Sequence, residues 1–422
     1  MKSNTAAIAA DFSCANQHAL ATILDASQTQ SIIAARDIFD ISGTKLWARD
    51  LPVSQALQRK LLDRQLREPL ESCLKAADGV TAHTLVEAIE RLLKQPTPLT
   101  ALLHAHADTL LREAAKLPVH PVAQLLLTAS RSSRPAAYEH ATQAMALNGA
   151  LMLAQGGKPT DLRIAMLSGL LHDLGEMYIA PEFGEADAER TVDVLTYQQL
   201  VVHPHVGQLL IAQLTDYPAE VARAIAEHHE RMDGSGYPHC LRGDQLSMHG
   251  RLLAVTESTL ATLSEPAAPL SRASIALRVV PGEYDLRWVG LITQVVRQQP
   301  TATAKRTAEE LQERLTKLAE VMHDASTATA TLRREATSAA LKDALTLTEH
   351  LLARLQGGLM TSGLWSIDPV AAPDAAEVEA VEGELRLRLR RIERAVRLRA
   401  GLLTDEDARR LDELCRQLTL RG

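Results

Sequence analysis

Between His140 and Glu257 the chain sets imidazoles and carboxylates into stretches that otherwise read as apolar helix. That pattern constrains the fold more than any other feature. An ionisable group on an apolar helical face must find solvent, a partner or a metal, because burying it unpaired is costly. The stretches that carry these groups therefore have to converge. The most telling of them is "AEHHERMDGSGYP", Ala226 to Pro238, where two adjacent histidines run into a glycine-rich turn. Val221 and Ile225 lie on the helical face that His228 and His229 extend. Neighbouring residues stand about 100° apart on a helix, so both rings can border one core-facing cavity, with Glu230 and Arg231 outward or at its rim. Asp233, Gly234, Gly236, Tyr237 and Pro238 form a tight turn that longer side chains would obstruct.

Four further elements supply donors. "PTDLRIAMLSGLLHDLG" reads as one helix, with Thr160 or Asp161 at its start and Gly175 at its end. His172 and Asp173 sit where it runs out, one a nitrogen donor and the other a carboxylate able to bridge two ions. Alone, such a dipeptide more often signals a hydrogen bond. In "VVHPHVGQLLI", the proline after His203 places it at a helix start. His140, one turn before Ala144 and Leu147, would by itself be a satisfied core histidine, and Glu257 lies in the mostly apolar "GRLLAVTESTLATL". Together these are five histidines and two carboxylates from separate helices. Nitrogen and oxygen donors without cysteine suit Fe, Mn, Zn or Ni. Two adjacent ions sharing a carboxylate would activate water and clamp a phosphoryl group, the chemistry of a dinuclear phosphohydrolase.

The rest of the chain frames this centre. Its 422 residues suffice for two or three domains, and 3% aromatic content with abundant Ala, Leu and Arg favours helices over sheets. The expected fold is mainly α: an all-helical core over 98–300, a small N-terminal α/β module over 1–97, and a C-terminal helical region over 301–422. In the N-terminal module, "RDIFDISGTKLWARDLP" predicts a hairpin turning at Ser42-Gly43, and Leu57, Leu61 and Leu62 predict a helix. Near the other end, Leu311, Leu315, Leu318 and Met322 form an amphipathic stripe, and an Ala- and Pro-rich linker is expected near 366–378. A basic helix follows, carrying Arg386, Arg388, Arg390, Arg391, Arg394, Arg397 and Arg399 beside an apolar seam of Leu385, Leu389, Ile392 and Val396. A solvated arginine face is the plainer reading, and docking of an acidic partner or a second copy the alternative. A net charge of −7 argues against a surface that coats nucleic acid. No apolar run approaches the ~18 residues of a membrane span. The N-terminus shows no signal-peptide pattern, and Cys14, Cys73, Cys240 and Cys415 lack metal or framework spacing. A cytoplasmic protein with idle thiols is expected.

His140, "LLHDLGE", "HPHVG", "HHERMDGSGYP", "RLLAVTES" and "GEYDLRWVGLI" follow one another in the order of a known family, and the chain resembles the HD-GYP domain, a branch of the HD phosphohydrolases. The resemblance implies an all-helical domain with two divalent ions, iron or manganese, that hydrolyses cyclic di-GMP to the linear dinucleotide or GMP. By position, His140, His172, His203, His228 and His229 would be nitrogen ligands, Asp173 would bridge, and Glu257 would stand where the family has an aspartate. His172, Asp173 and Glu176 would be the catalytic residues. The chain departs from the pattern at Glu176, where the family has a lysine near the phosphate region. At ~4 Å and an effective dielectric near 20, one such charge contact is worth about 4 kcal/mol, so the reversal matters unless Glu176 turns away or itself ligates a metal. Arg272 is the only base in "SEPAAPLSRAS", where the family often has a substrate-holding arginine loop, and Ala136 replaces a third-metal glutamate. Two readings follow: an active phosphodiesterase on cyclic di-GMP or another nucleotide, or a degenerate domain acting as nucleotide sensor or scaffold. In the family the GYP loop is also associated with partner docking.

Overall fold

The computed structural model describes residues 12–179, 202–264, 268–299, 304–362, 375–400 and 403–418. The N-terminal segment expected to lack a signal peptide, most of the linker expected near 366–378 and part of the loop before Arg272 lie outside the described residues. Among the described residues the protein is mainly helical, with two small antiparallel sheets.

The helices Pro121–Ser133, Pro135–Ala154, Pro159–Leu171, His203–Leu214, Ala219–Glu227, Met248–Leu263, Leu270–Arg278 and Leu286–Val296 build the central core. Four of them carry proline in their first turn, where its missing N–H costs no hydrogen bond and its fixed φ starts the helix. Pro135–Ala154 and Pro159–Leu171 bury side chains around much of their circumference, as central rather than surface helices do. Asn148 pins three helices together deep in this core. Its amide donates to the Ala165 carbonyl at 3.0 Å, and its oxygen accepts from the Thr256 hydroxyl at 2.5 Å. Two of those helices carry His140 and Glu257, and the third ends one residue before His172.

The α-helix that begins at Pro159 stops at Leu171, and a 3-10 helix runs on from His172 to Tyr178. The single helix expected from the sequence is therefore two. The tighter winding begins at the histidine itself and turns Asp173 toward the centre.

At the N-terminal end, Ile38–Phe39 pairs antiparallel with Lys45–Trp47 across the turn at Gly43. A second pair, Ile32–Ala34 with Leu74–Ala76, was not foreseen: its strands are far apart in sequence and only three residues long. The helix expected to include Leu62 ends at Leu61, and Leu62 is 64% exposed while Leu57 and Leu61 are buried. The apolar core is continuous from Phe12 to Ile292.

The C-terminal helices Ala308–Glu335, Ala339–Ser362, Ala375–Ala400 and Asp405–Leu418 enclose a second core, in which Leu318, Met322, Leu385, Leu389, Ile392 and Val396 meet. Ile275, Val279 and Val280 belong to this second core and join the bundle to the central helices. The arginine face is not simply solvated. Arg388 is buried among carboxylates and Arg386 pairs with Glu382, while Arg390 is exposed. The side chains of Arg394, Arg397 and Arg399 lie outside the described residues. Among the described residues no helix is long and apolar enough to cross a membrane.

Candidate metal centre

The seven candidate ligands meet in one place. His140 and Glu257 come from mid-helix and His203 from a helix start, His172 and Asp173 from the 3-10 helix, and His228 and His229 from the residues just past the Ala219–Glu227 helix. Their donor atoms form overlapping groups: His140, His172 and Glu257; His203, His228 and His229; and His172, Asp173 and His228.

Asp173 stands between the first two groups. Its Oδ2 lies 3.1 Å from His172 Nε2 and 3.6 Å from His140 Nε2, while Oδ1 lies 3.5 Å from His228 Nε2 and 3.6 Å from His203 Nε2. One carboxylate thus turns an oxygen to each side. Glu257 Oε2 reaches His140 Nε2 at 3.0 Å and His172 Nε2 at 3.2 Å, so its extra methylene relative to aspartate keeps it within the group.

The tautomers follow from the outer hydrogen bonds. His172 Nδ1 lies 2.8 Å from the Gly169 carbonyl and His228 Nδ1 lies 2.6 Å from the Ile225 carbonyl, so each Nδ1–H donates outward. The Nε2 lone pair of each neutral ring then faces the centre, the usual arrangement of a metal-binding histidine. There the nitrogens crowd: His172 and His140 Nε2 are 3.3 Å apart, and His203 and His228 Nε2 are 3.1 Å apart. Nitrogens bound to one ion at about 2.1 Å stand roughly 3.0–3.4 Å from each other.

Without a cation these groups need protons instead. Burial opposes charge on His140 and His172, yet Glu257 and Asp173 prevail, holding His140 at about 9 and His172 well above the imidazole range. His228 goes the other way, pushed down to about 3 by burial and by His229. Burial would raise both carboxyls, but the histidines hold Asp173 and Glu257 well below the carboxylate range. Asp173 Oδ1 is buried with no hydrogen-bond partner. A cation between the groups would satisfy that oxygen and the crowded lone pairs together, so the residues present fit a metal.

The turn after the histidines is built to hold them. Tyr237 stacks on His229 at 4.6 Å between ring centroids, and its N–H donates to the His229 carbonyl. A Cβ on Gly236 would meet the backbone of His229, Glu230 and Arg231 at 2.4 Å, so only glycine fits. Gly234 turns at positive φ, and the Asp233 carboxylate accepts from the Ser235 N–H and hydroxyl. The peptide before Pro238 is cis.

Helical geometry suggested that Glu230 and Arg231 lie outward or at the rim; Glu230 does neither, and Arg231 is part-buried. The helix ends at Glu227, so the 100° rule no longer applies beyond it. Glu230 is fully buried and accepts the N–H groups of His239 and Leu241 at 2.6 and 2.9 Å, closing the turn. Arg231 donates to the carbonyls of Glu230 and His228 and to the Ser258 hydroxyl. Their placement inside the centre's frame was missed; the only cue was two charges next to the paired histidines. Glu176 belongs to none of the ligand groups. It is half-buried, Arg134 donates to its carbonyl at 3.1 Å, and the Arg134 charge faces it. Arg272 stands in the Leu270–Arg278 helix rather than in a loop.

A buried histidine and carboxylate centre of this kind is what an HD domain builds, and the HD domain family matches residues 124–279. The chain carries an HD domain of the HD-GYP type. It is 27% identical over 208 residues to the cyclic di-GMP phosphodiesterase PA4108 of Pseudomonas aeruginosa, covering 49% of this chain and 48% of that protein. It is 32% identical over 105 residues to the cyclic di-GMP phosphodiesterase response regulator RpfG of Xanthomonas campestris, covering 25% and 27%. It is also 23% identical over 230 residues to the 3'3'-cGAMP-specific phosphodiesterase 3 of Vibrio cholerae, covering 50% and 47%. The chain thus spans about half the length, or less, of these relatives.

Proposed function

We propose that the protein is a metal-dependent phosphodiesterase acting on a cyclic dinucleotide, with cyclic di-GMP the leading substrate and iron or manganese in a two-ion centre. The observation that carries this is Asp173, whose two oxygens face two separate histidine groups. His140, His172 and Glu257 would hold one ion, His203, His228 and His229 the other, and Asp173 would span both. Bound divalent ions would activate water and neutralise the phosphodiester. The chain's own part is to set charge and access. Asp173 and Glu257 contribute two negative charges, fewer than two divalent cations carry, so the loaded centre attracts a phosphodiester anion. His140 is the most exposed of the five histidines, its side chain 27% exposed, whereas His172, His203, His228 and His229 are buried. We place the substrate's approach on its side.

The relatives divide between cyclic di-GMP and 3'3'-cGAMP, two substrates of one chemical class. A degenerate, non-hydrolysing domain is the second reading, favoured by Glu176, which brings a negative charge where the family has a positive one. An anaerobic assay with the Fe- or Mn-loaded protein decides among these, using both dinucleotides and His172→Ala as blank. Turnover that disappears in the variant is expected. Full metal occupancy with no turnover of either dinucleotide would refute the phosphodiesterase and leave a sensor or scaffold.

A further inference from the structure

The Arg-rich helix of the C-terminal bundle reaches the metal centre through a chain of buried charges. Arg388 donates through Nε to Glu384 at 2.7 Å, through Nη1 to Glu283, and through Nη2 to the Ala276 carbonyl at 2.8 Å. Glu283 faces Arg231 on its other oxygen, at 3.6 Å, and its carbonyl accepts the Met232 N–H at 2.9 Å. Arg231 in turn holds the carbonyls of Glu230 and His228 and the hydroxyl of Ser258, the neighbour of Glu257. It therefore ties together segments from both histidine groups. Its guanidinium also lies 5.0 Å from the Tyr284 ring, and Tyr284 shares a 2.5 Å hydrogen bond with Ser258.

Arg388, Glu384, Glu283 and Arg231 are nearly buried, with side-chain exposures of 9, 6, 4 and 12%. Two positive and two negative charges balance there. Removing Arg388 would leave Glu384 without its counter-charge and Glu283 with Arg231 alone. Lysine could not replace the fork, because one ammonium cannot match a planar guanidinium directed at three acceptors. A second, more exposed strut, Arg354 to Asp233 at 3.5 Å, joins the same bundle to the GYP turn. The acidic partner considered for the Arg-rich helix is, for Arg388, the chain's own Glu283.

We propose that Arg388 is a positioning residue for the metal centre: from the C-terminal bundle it fixes Glu283, Glu283 fixes Arg231, and Arg231 holds the ligand-bearing segments in register. The inference rests on the metal-centre reading above, and metal affinity tests it. Full-length protein, stripped of metal, would be titrated with Mn2+ by calorimetry and melted by circular dichroism. Arg388→Met is paired with Glu384→Gln so that no new unpaired charge is buried. Arg388→Lys is the milder change, and decides the matter should the double variant not fold. Arg386→Met is the control, since Arg386 lies on the same helix but pairs with Glu382 inside the bundle.

The double variant should bind Mn2+ about 10- to 100-fold more weakly, the usual consequence of losing an outer-shell support. Arg388→Lys should lose a smaller factor, and Arg386→Met should stay within about twofold even where its melting temperature falls. Unchanged affinity in the Arg388 variants would overturn the inference alone, as would an equal loss in Arg386→Met. A wild-type protein that takes up no Mn2+ would overturn the metal-centre reading, and this inference with it.

Discussion

Gly175→Ala tests how closely the two halves of the centre are packed. Gly175 lies two residues after Asp173, against the start of the helix that carries His203. A Cβ there would stand 2.0 Å from the His203 carbonyl oxygen and 2.8 Å from the Gly207 nitrogen, where ordinary contact begins near 3.4 Å. The obstacles are backbone atoms, not a side chain that can swing away. The 3-10 helix and the His203 helix must therefore part by about 1.4 Å, the difference between 3.4 and 2.0 Å. Overpacking of this kind costs about 1–3 kcal/mol, sometimes more. At roughly 2–4 °C per kcal/mol for a domain of this size, the melting temperature should fall by about 2–12 °C. Separating Asp173 from His203 should also weaken Mn2+ binding by at least about 10-fold. Gly290→Ala is the control of opposite sign. It sits in the Leu286–Val296 helix with nothing within 4 Å of its added Cβ, so alanine should stabilise by about 0.5–1 kcal/mol. Melting curves and Mn2+ titrations of both variants are the assay. A Gly175→Ala protein that melts within about 1 °C of wild type and binds Mn2+ as tightly would refute the packing argument.

Glu71 is buried, and burial raises its carboxyl pKa despite the 2.8 Å hydrogen bond from Tyr178. A raised folded pKa gives stability that is fully present below the unfolded value, near 4.3, and is lost as pH rises through the folded value. Glu71→Gln, which keeps an acceptor for Tyr178, should therefore gain melting temperature at pH 8 and little at pH 4; an equal change at both would contradict this. Metal uptake at pH 7 should release protons, because His140 is held at about 9 and His172 well above the imidazole range. Calorimetry in buffers of different ionisation enthalpy measures the release, and apparent Mn2+ affinity should rise from pH 6 to pH 8. Glu176→Ala should leave Mn2+ affinity within about twofold, since Glu176 lies outside the ligand groups; a loss of an order of magnitude would make it a ligand.

The cluster of candidate ligands was legible because each histidine or carboxylate stood against an apolar helical background, where an ionisable group demands an explanation. The C-terminal seam of Leu385, Leu389, Ile392 and Val396 was legible for the complementary reason, that helical periodicity repeats an apolar face. What could not be read depended on where helices end or on distant pairings. Glu230 and Arg231 turned inward because the helix stops at Glu227, and no periodicity rule reports that point. The strand pair Ile32–Ala34 with Leu74–Ala76 joins segments about forty residues apart, each too short to show alternation. Arg388 looked like one arginine among seven. Only the fold shows that it faces Glu283 while its neighbour Arg386 serves the bundle.

The centre itself is tested most directly by metal content. The full-length protein, loaded anaerobically with Mn2+ or Fe2+ and desalted, would be assayed for metal per chain beside Asp173→Ala and His172→Ala. The account predicts two ions per wild-type chain and at most one in Asp173→Ala, because Asp173 turns one oxygen to each histidine group. A wild-type protein retaining fewer than two ions, or an Asp173→Ala protein retaining both, would contradict a centre bridged by Asp173.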